Sequence, residues 1–161
     1  MCGIADALAA VGDRWSLLIV REIAFGVRRF NDIRHNTGAP RETLTTRLRK
    51  LEEAGVVHRR RYSERPPRDE YRLTERGRDF RPVVLALLAW GNRHFAPEGL
   101  SVMLVDKLTG APAEPVLVDR VTGQPITDAS HNNAAGPAAG ARVKARLAKP
   151  RGTRSQDRKL G

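Results

Sequence analysis

Cysteine is almost absent from this 161-residue sequence, in which Cys2 is the only thiol. One cysteine cannot form an internal disulfide, and it argues against a cysteine-rich metal site. No apolar run approaches the ~20 residues that a membrane-spanning helix needs. The first residues also lack the basic region, apolar core and cleavage site of a signal peptide. These absences predict a cytoplasmic protein that does not cross a membrane and uses no metal or other cofactor.

Motifs for catalysis are missing too. The four histidines are scattered and share no spacing with Cys2 or with a carboxylate. Nothing has the spacing of a metal site, a phosphate-binding loop or a nucleophile elbow. The sequence therefore argues against an enzyme.

Acidic residues are scarce relative to basic ones: 18 Asp and Glu stand against 29 Lys and Arg, which gives a net charge of +11. Such an excess favours a polyanionic partner, either nucleic acid or an anionic membrane surface. One local excess lies between Arg29 and Arg68, where 11 basic residues accompany 5 acidic ones. A second lies in residues 129–161, which hold eight basic residues and one acidic residue.

Residues 30–73 have the order helix, tight turn, helix and basic hairpin. The second helix follows Pro40, which suits a helix start, and it stops at Gly55, which suits a left-handed helix end. This order predicts a winged helix-turn-helix. Its predicted parts are a helix over residues 30–36, a turn over 37–40, a helix over 41–54, and strands over 56–63 and 69–73 around the tip at 64–68.

The helix over residues 41–54 is expected to recognise DNA. Leu44, Leu48 and Leu51 recur at i, i+4 and i+7 and predict one buried stripe. Thr46 and Arg49 point away from this stripe, where side chains can reach base edges. An ordinary amphipathic surface helix with solvated charges is the alternative, and the turn and hairpin beside the helix argue against it.

The hairpin over residues 56–73 is crowded with arginine. Arginine suits phosphate contacts, which dominate the affinity of proteins for DNA. The proline pair at the tip marks a stiff turn. An exposed sheet edge kept soluble by its charge is the alternative. The residues predicted to contact DNA are Arg29, Arg41, Thr45, Thr46, Arg47, Arg49, Lys50, Arg60, Arg65 and Arg68.

Helices are also predicted on both sides of this segment, over residues 3–11, 14–25 and 75–95. The last is apolar on nearly all sides between Val83 and Trp90, so it needs a second surface to bury it. In a domain of this size that surface is expected to be another subunit, which predicts a homodimer. Pro82 either kinks this helix or marks a later start. An effector pocket between Trp15, Phe80 and Trp90 is an alternative to ordinary packing of these aromatics.

The chain changes character after residue 98. A 13-residue pattern occurs twice, from Leu104 to Pro112 and from Leu117 to Pro125, and it predicts two short strand-turn units. From Ala129 onwards Ala, Gly, Pro and basic residues predict a disordered tail. Such a tail either strengthens non-specific DNA binding or is simply a solvated end.

Several motifs in order resemble the HxlR-type transcriptional regulators. The resemblance covers residues 2–96 and is carried by Cys2, by the stretches 5–8, 11–15, 17–19, 28–33, 44–52, 55–57 and 67–74, and by Gly77. It implies dimeric winged-helix regulators that bind inverted-repeat operators and that dimerise through their first and last helices. Two positions depart from the family pattern, because Gly3 replaces a proline and Ala39 replaces a Ser or Thr cap.

The resemblance extends to two regions outside the winged helix. In several members of the family the N-terminal cysteine senses electrophiles or oxidants, and Cys2 occupies that position. A cysteine at a helix start can have a lowered pKa. The alternative is a small residue at the dimer interface or in a frayed terminus. Longer members carry paired cysteines after the winged helix, but this chain has none there, so no zinc is expected.

Taken together, these patterns predict an α+β, mostly helical fold. It consists of a winged helix-turn-helix with dimerisation helices (1–98), a small β appendage (99–128) and a disordered basic tail (129–161). The expected partner is double-stranded DNA, bound by a homodimer, with a small-molecule or thiol-reactive effector as a further candidate. The expected function is a sequence-specific regulator, taken as a repressor, on the nucleoid. The alternative is an architectural protein with little sequence preference.

Overall fold

The computed structural model describes residues 3–148, and these form two compact units, one up to Val116 and one from Leu117 onwards. Each unit is considered by itself. The helices are α1 (Gly3–Val11), α2 (Arg14–Ala24), α3 (Phe30–Thr37), α4 (Arg41–Glu53), α5 (Glu75–Asp79), α6 (Arg81–Phe95) and α7 (Ala141–Ala148), and the strands are β1 (Val57–Glu64) and β2 (Pro67–Leu73).

Local capping chemistry sets most helix ends in the first unit. Asp13 precedes α2, and its carboxylate accepts hydrogen bonds from the backbone N–H groups of Trp15 (3.1 Å) and Ser16 (3.0 Å). Helices α3 and α4 both stop at a glycine in the left-handed region, Gly38 at φ 69° and Gly55 at φ 66°. Glycine adopts this conformation without the steric cost that a Cβ brings.

The long helix predicted over residues 75–95 is divided in two. Helix α5 ends before Phe80, and α6 begins at Arg81 with Pro82 in its first turn. Proline lacks an N–H, and the first turn of a helix is where that group has no intrahelical partner. Of the two outcomes predicted for Pro82, a kink or a later helix start, the structure shows the later start.

The core lies between α2, α3, α4 and the base of the hairpin. It is entirely aliphatic, and it also includes one residue of α6, Val84. The Leu44, Leu48 and Leu51 stripe of α4 is buried as predicted. The buried apolar residues are Val11, Ile19, Val20, Ile23, Ile33, Ala39, Leu44, Leu48, Leu51, Val56, Val57 and Val84.

Strands β1 and β2 form the wing, an antiparallel hairpin that pairs Val57 with Leu73 at its base and Glu64 with Pro67 at its tip. The register shifts by one residue between Arg61 and Ser63, as in a β-bulge. The strands reach further into the tip than predicted, so the turn is shorter. A third short segment joins β2, because Tyr71 N–H donates to the Arg28 carbonyl (2.8 Å) and Arg29 pairs with Glu70. This pairing was not predicted, and it ties the start of α3 to the wing.

The small β appendage predicted over residues 99–128 needs correction in detail. Each repeat is a turn closed by one isolated bridge, Val105 with Pro112 and Val118 with Pro125. Asp106 accepts hydrogen bonds from the backbone N–H groups of Leu108 and Thr109, and Asp119 accepts one from Val121. Such side-chain bonds favour turns over strand ladders, and proline cannot extend the ladder.

The prediction of disorder throughout the tail is wrong for α7, which lies inside residues 129–161. Alanine, arginine, lysine and leucine are strong helix formers, and they make up seven of its eight residues. Residues 149–161 lie outside the described part of the chain. The boundary between the two compact units falls between the two repeats, after Val116.

Candidate nucleic-acid interface

Helix α4 presents a polar face on a firmly held backbone. The fully buried Leu44, Leu48 and Leu51 fix its rotation, so Thr46 and Arg49 are exposed on the opposite side. No side chain caps the start of α4 after Pro40, in keeping with Ala39 at the position where the family pattern has a Ser or Thr. An exposed Thr and Arg on an anchored helix can donate to base edges in a major groove.

The flanks of α4 are partly engaged within the protein. Thr45 Oγ1 donates to the Arg41 carbonyl (2.9 Å), and the Arg41 guanidinium lies 5.4 Å from the centre of the Phe30 ring. Arg49 pairs with Glu53 one turn later at 3.6 Å, with both side chains largely exposed. An exposed pair of this kind contributes little stability, so it does not hold Arg49 back from another partner.

Arg47 differs from the other predicted DNA contacts. Its side chain is 30% exposed, and its Nε lies 3.3 Å from Asp13 Oδ1 at the start of α2. Burial alone would raise the pKa of Asp13, but hydrogen bonds from Ser16, the charge of Arg47 and the bond from Trp15 together lower it. The pair joins α2 to α4, while a DNA contact by Arg47 stays a prediction.

Buried Glu22 connects the two helices that precede α4. Its Oε2 accepts a hydrogen bond from Asn36 Nδ2 of α3 (2.7 Å), and its Oε1 accepts two from Arg21 (2.9 and 2.6 Å). A buried carboxylate needs such partners to offset its loss of hydration. Glu22 therefore fixes α3, and with it the turn that leads into α4.

The wing arginines divide into two groups. Arg59 and Arg61 both face Asp69, at 3.8 Å and 3.2 Å, so one carboxylate offsets part of their charge. Among residues 3–116, no carboxylate lies within 4.0 Å of Arg60, Arg65 or Arg68. These three are the wing residues predicted to contact DNA, and their charge is available to an external anion.

Backbone pairing between neighbouring strands places three charged residues in a row across the wing. Arg29 pairs with Glu70, and Glu70 pairs with Arg60, so the row alternates cation, anion and cation. A hydrogen bond from Arg72 Nε (2.7 Å) is the main cause that lowers the pKa of Glu70. The Arg29 guanidinium lies 5.4 Å from the centre of the Tyr62 ring. These residues and Arg72 line a cavity of about 250 Å³.

Tyr62 and Glu70 are the residues that sequence reasoning missed. Both lie against Arg29, Glu70 through backbone pairing and Tyr62 through its ring. Neither is basic, so a search for cationic residues overlooks them. Their proximity to Arg29 follows from the pairing of Arg29 with β2, which depends on tertiary structure. The alternation of Arg60 and Tyr62 along β1 was a weaker signal, because side chains two residues apart lie on one face of a strand.

Two helices leave apolar stripes exposed in the single chain. Ile4 and Leu8 of α1 are 72% and 59% exposed, and Val83, Leu87 and Trp90 of α6 are 45%, 46% and 56% exposed. The spacing within each helix places these residues on one side. Contiguous exposed apolar surface of this kind typically marks an interaction site.

A cavity of about 270 Å³ lies between α6 and the segment that follows it. Its lining includes Leu85 and Leu88 of α6 and Met103 and Leu104 of the extension, with Asn92 and Arg93 as polar groups. None of Trp15, Phe80 and Trp90, which were predicted to form an effector pocket, lines this cavity.

Cys2, the predicted sensor, lies outside the described residues. Within residues 3–148, no cluster of three or more His, Cys, Asp or Glu side chains could hold a metal ion. None of the helices in the same range has the length and apolar character that crossing a bilayer requires.

Comparison with known proteins supports a regulatory function. Residues 10–99 match the family described as HxlR-like helix-turn-helix. An uncharacterised HTH-type transcriptional regulator of Mycobacterium bovis is 46% identical over 125 residues, which cover 77% of this chain and 79% of that protein. A candidate transcription factor of Pseudomonas aeruginosa superposes with a TM-score of 0.63 and 40% identity, covering 91% of this chain and all of its own.

A second similar structure is that of a redox regulator. The redox regulator HypR in its oxidised form superposes with a TM-score of 0.55 and 36% identity. The superposition covers 58% of this chain and 97% of HypR.

Proposed function

We propose that this chain, which belongs to the HxlR-like helix-turn-helix family, reads a specific DNA sequence with α4 and holds the DNA backbone with its wing. The chain is a transcriptional regulator with a helix-turn-helix DNA-binding fold. The observation that carries the finer proposal is the anchoring of α4. Three buried leucines fix a helix whose opposite face presents Thr46 and Arg49 to solvent.

This assignment of the reading face is tested with Thr46→Ala and Arg49→Ala. Each substitution should weaken binding to the operator by ~1–3 kcal/mol and weaken binding to random DNA much less, because a base contact carries specificity. Fluorescence anisotropy on both DNAs measures the difference. Glu53→Ala is the matched control, since it frees Arg49 from its ion pair without removing the cation. Unchanged operator affinity in both variants would show that another face of α4 reads the DNA.

We infer a homodimer from the exposed stripes of α1 and α6. Two copies that bury these stripes against each other would remove Ile4, Leu8, Leu87 and Trp90 from water. Burial stabilises the dimer by ~25 cal/mol for each Å² of apolar surface that is covered. A two-fold dimer presents two copies of α4 to an inverted repeat. Sedimentation at micromolar concentration should give twice the mass of the chain, and Leu87→Glu should give monomers. A parent chain that sediments as a monomer would contradict the dimer.

Repression is the regulatory effect that we propose. A dimer that occupies an operator spanning about two turns of DNA blocks other proteins from the same site, which requires no further contact. The chain would then act in the cytoplasm on the nucleoid. A reporter gene placed behind the operator should rise in activity when the chain is removed, and a fall would instead identify an activator.

The similarity to a redox regulator supports Cys2 as the sensor of a signal. A thiol-reactive quinone should then release the parent protein from its operator, while Cys2→Ser should stay bound. The chain has no other thiol, so equal responses of the two proteins would exclude sensing by cysteine. A small-molecule effector is the second candidate signal, with the 270 Å³ cavity beside α6 as its site. Release of Cys2→Ser by such a molecule would favour this alternative.

A further inference from the structure

The C-terminal end of the chain holds most of its excess charge. Residues 142–161 contain eight of the 29 Lys and Arg residues but only one of the 18 acidic residues. This stretch carries +7 of the net charge of +11 in about an eighth of the length. Its described part is α7, which is a formed helix.

Helix α7 has an ordered distribution of charge. Val143 and Leu147 are four residues apart and half-buried, whereas Arg142, Lys144 and Arg146 are exposed. At 100° per residue, Arg142 and Arg146 lie on one flank of the apolar stripe and Lys144 lies on the other. Arg142 and Arg146 are ~6 Å apart along the helix axis, at a rise of 1.5 Å per residue.

The three cations of α7 have no acidic partner within the described part of their own unit. No carboxylate among residues 117–148 lies within 4.0 Å of them, although many arginines of the winged helix have such a partner. Unpaired cations concentrated on one helix attract a polyanion, and for DNA the gain comes from the release of counterions from the phosphates.

We propose that α7 is an accessory DNA-binding element that contacts phosphates and reads no sequence. This inference rests on the proposed DNA-binding function and adds a second contact region to it. The element raises affinity for all DNA equally, while α4 supplies the preference for the operator. Positive charge outside the helix-turn-helix thus keeps the regulator on DNA during its search for a site.

An anionic membrane is the other surface that attracts a basic helix, and α7 is poorly suited to it. Helices that lie in a membrane interface bury a broad apolar face, often with Trp, Phe or Leu. Helix α7 offers only Val143 and Leu147 beyond its alanines. The charge is therefore strong enough for a phosphate backbone, whereas the apolar face is too small for stable insertion into lipid.

The test compares two triple variants of the full chain on random-sequence duplex DNA. The first is Arg142→Gln, Lys144→Gln and Arg146→Gln, in which glutamine keeps the helix propensity close to that of Lys and Arg. The control is Arg81→Gln, Lys107→Gln and Arg120→Gln, which removes the same charge from exposed positions outside α7. Anisotropy is measured over a series of salt concentrations, with vesicles containing anionic lipid as a separate arm.

The α7 variant should bind random DNA roughly tenfold more weakly, and the slope of log affinity against log salt should fall by about 2 to 3, since each phosphate contact contributes ~0.9. The ratio of operator to random affinity should stay as in the parent. Equal behaviour of the α7 variant and the control would overturn the inference while leaving the proposed function intact. Loss of vesicle binding without loss of DNA binding would overturn it in favour of a membrane. A parent chain that binds no DNA would overturn both proposals.

Discussion

Single residues in this chain often serve two elements at once, and Asp13 is the clearest case. Its carboxylate caps α2 and also pairs with Arg47 of α4. The sequence predicts the cap, because Asp directly precedes the helix. It cannot predict the ion pair, because the partner is 34 positions away and was assigned to DNA. Side chains that appear free in sequence can thus be engaged by the fold.

Asp13→Ala should lower the free energy of unfolding by ~1 kcal/mol at pH 7, through loss of the cap. Asp13→Asn should lower the free energy of unfolding less, because Asn also caps a helix well. The remaining loss would come from the ion pair with Arg47, which a neutral Asn cannot form. The pKa of Asp13 is lowered in the folded state, so its charge stabilises the fold above its ordinary pKa of ~3.9 and ceases to do so as pH falls through the lowered value. Urea unfolding at pH 7 and near pH 3 measures this.

The contradictory outcome for Asp13 is equally specific. The gap between parent and Asp13→Asn should narrow as the pH falls below ~4, because the parent carboxylate then becomes protonated. A gap that is constant or that widens with acid would mean that the pair with Arg47 does not stabilise the fold.

Gly77 allows α5 to pack directly against the backbone of Val56, the residue that precedes β1. A Cβ at Gly77 would overlap the Val56 carbonyl, and the residue is buried. Gly77→Ala should therefore cost ~1–3 kcal/mol of stability, as overpacking generally does. Gly91→Ala is the matched control, since nothing lies within 4 Å of a Cβ there. This control should be neutral or stabilising by up to ~1 kcal/mol, because alanine favours a helix. Thermal melts of the two variants measure the difference in stability. Equal melting temperatures would contradict the close contact between Gly77 and the Val56 carbonyl.

Among the elements, helices with chemical end signals were the most predictable. The bounds of α1, α2, α3 and α4 were foreseen to within a residue, because Asp13, Gly38 and Gly55 end or begin helices by local bonding and backbone conformation. The break at Phe80 was harder, since Pro82 permits either a kink or a new start. The bridge between Arg29 and Glu70 could not be foreseen, because a single bridged residue leaves no periodic pattern in the sequence.

The wing as an element is expected to hold the DNA backbone. Arg65→Ala and Arg68→Ala should each weaken binding to every sequence, and each should lower the slope of log affinity against log salt by ~0.9. Lys107→Ala removes one charge outside the winged helix and should change the slope much less. The salt dependence of anisotropy on operator and random DNA provides the measurement. A slope equal to the parent's in both wing variants would place the wing tip away from the DNA.

For the whole molecule, the candidate site follows from three separate surfaces. The exposed face of α4, the unpaired wing arginines and the apolar stripes of α1 and α6 each correspond to a pattern in the sequence. Their relative arrangement does not, because it depends on contacts such as Glu22 with Asn36 and Arg29 with Glu70. The tail shows the reverse case, in which composition predicted disorder and local helix propensity gives α7 a regular structure.

Selection of bound fragments from a random pool of duplex DNA by the full-length protein tests the central claim of sequence-specific binding most directly. The account predicts enrichment of an inverted repeat whose half-site centres are about 10 base pairs, or a multiple of this, apart, since two copies of α4 must enter successive major grooves. The selected DNA should bind at least ~10³-fold more tightly than random DNA at physiological salt. A pool that shows no enriched motif, with all fragments bound about equally, would contradict the account and identify an architectural DNA-binding protein instead.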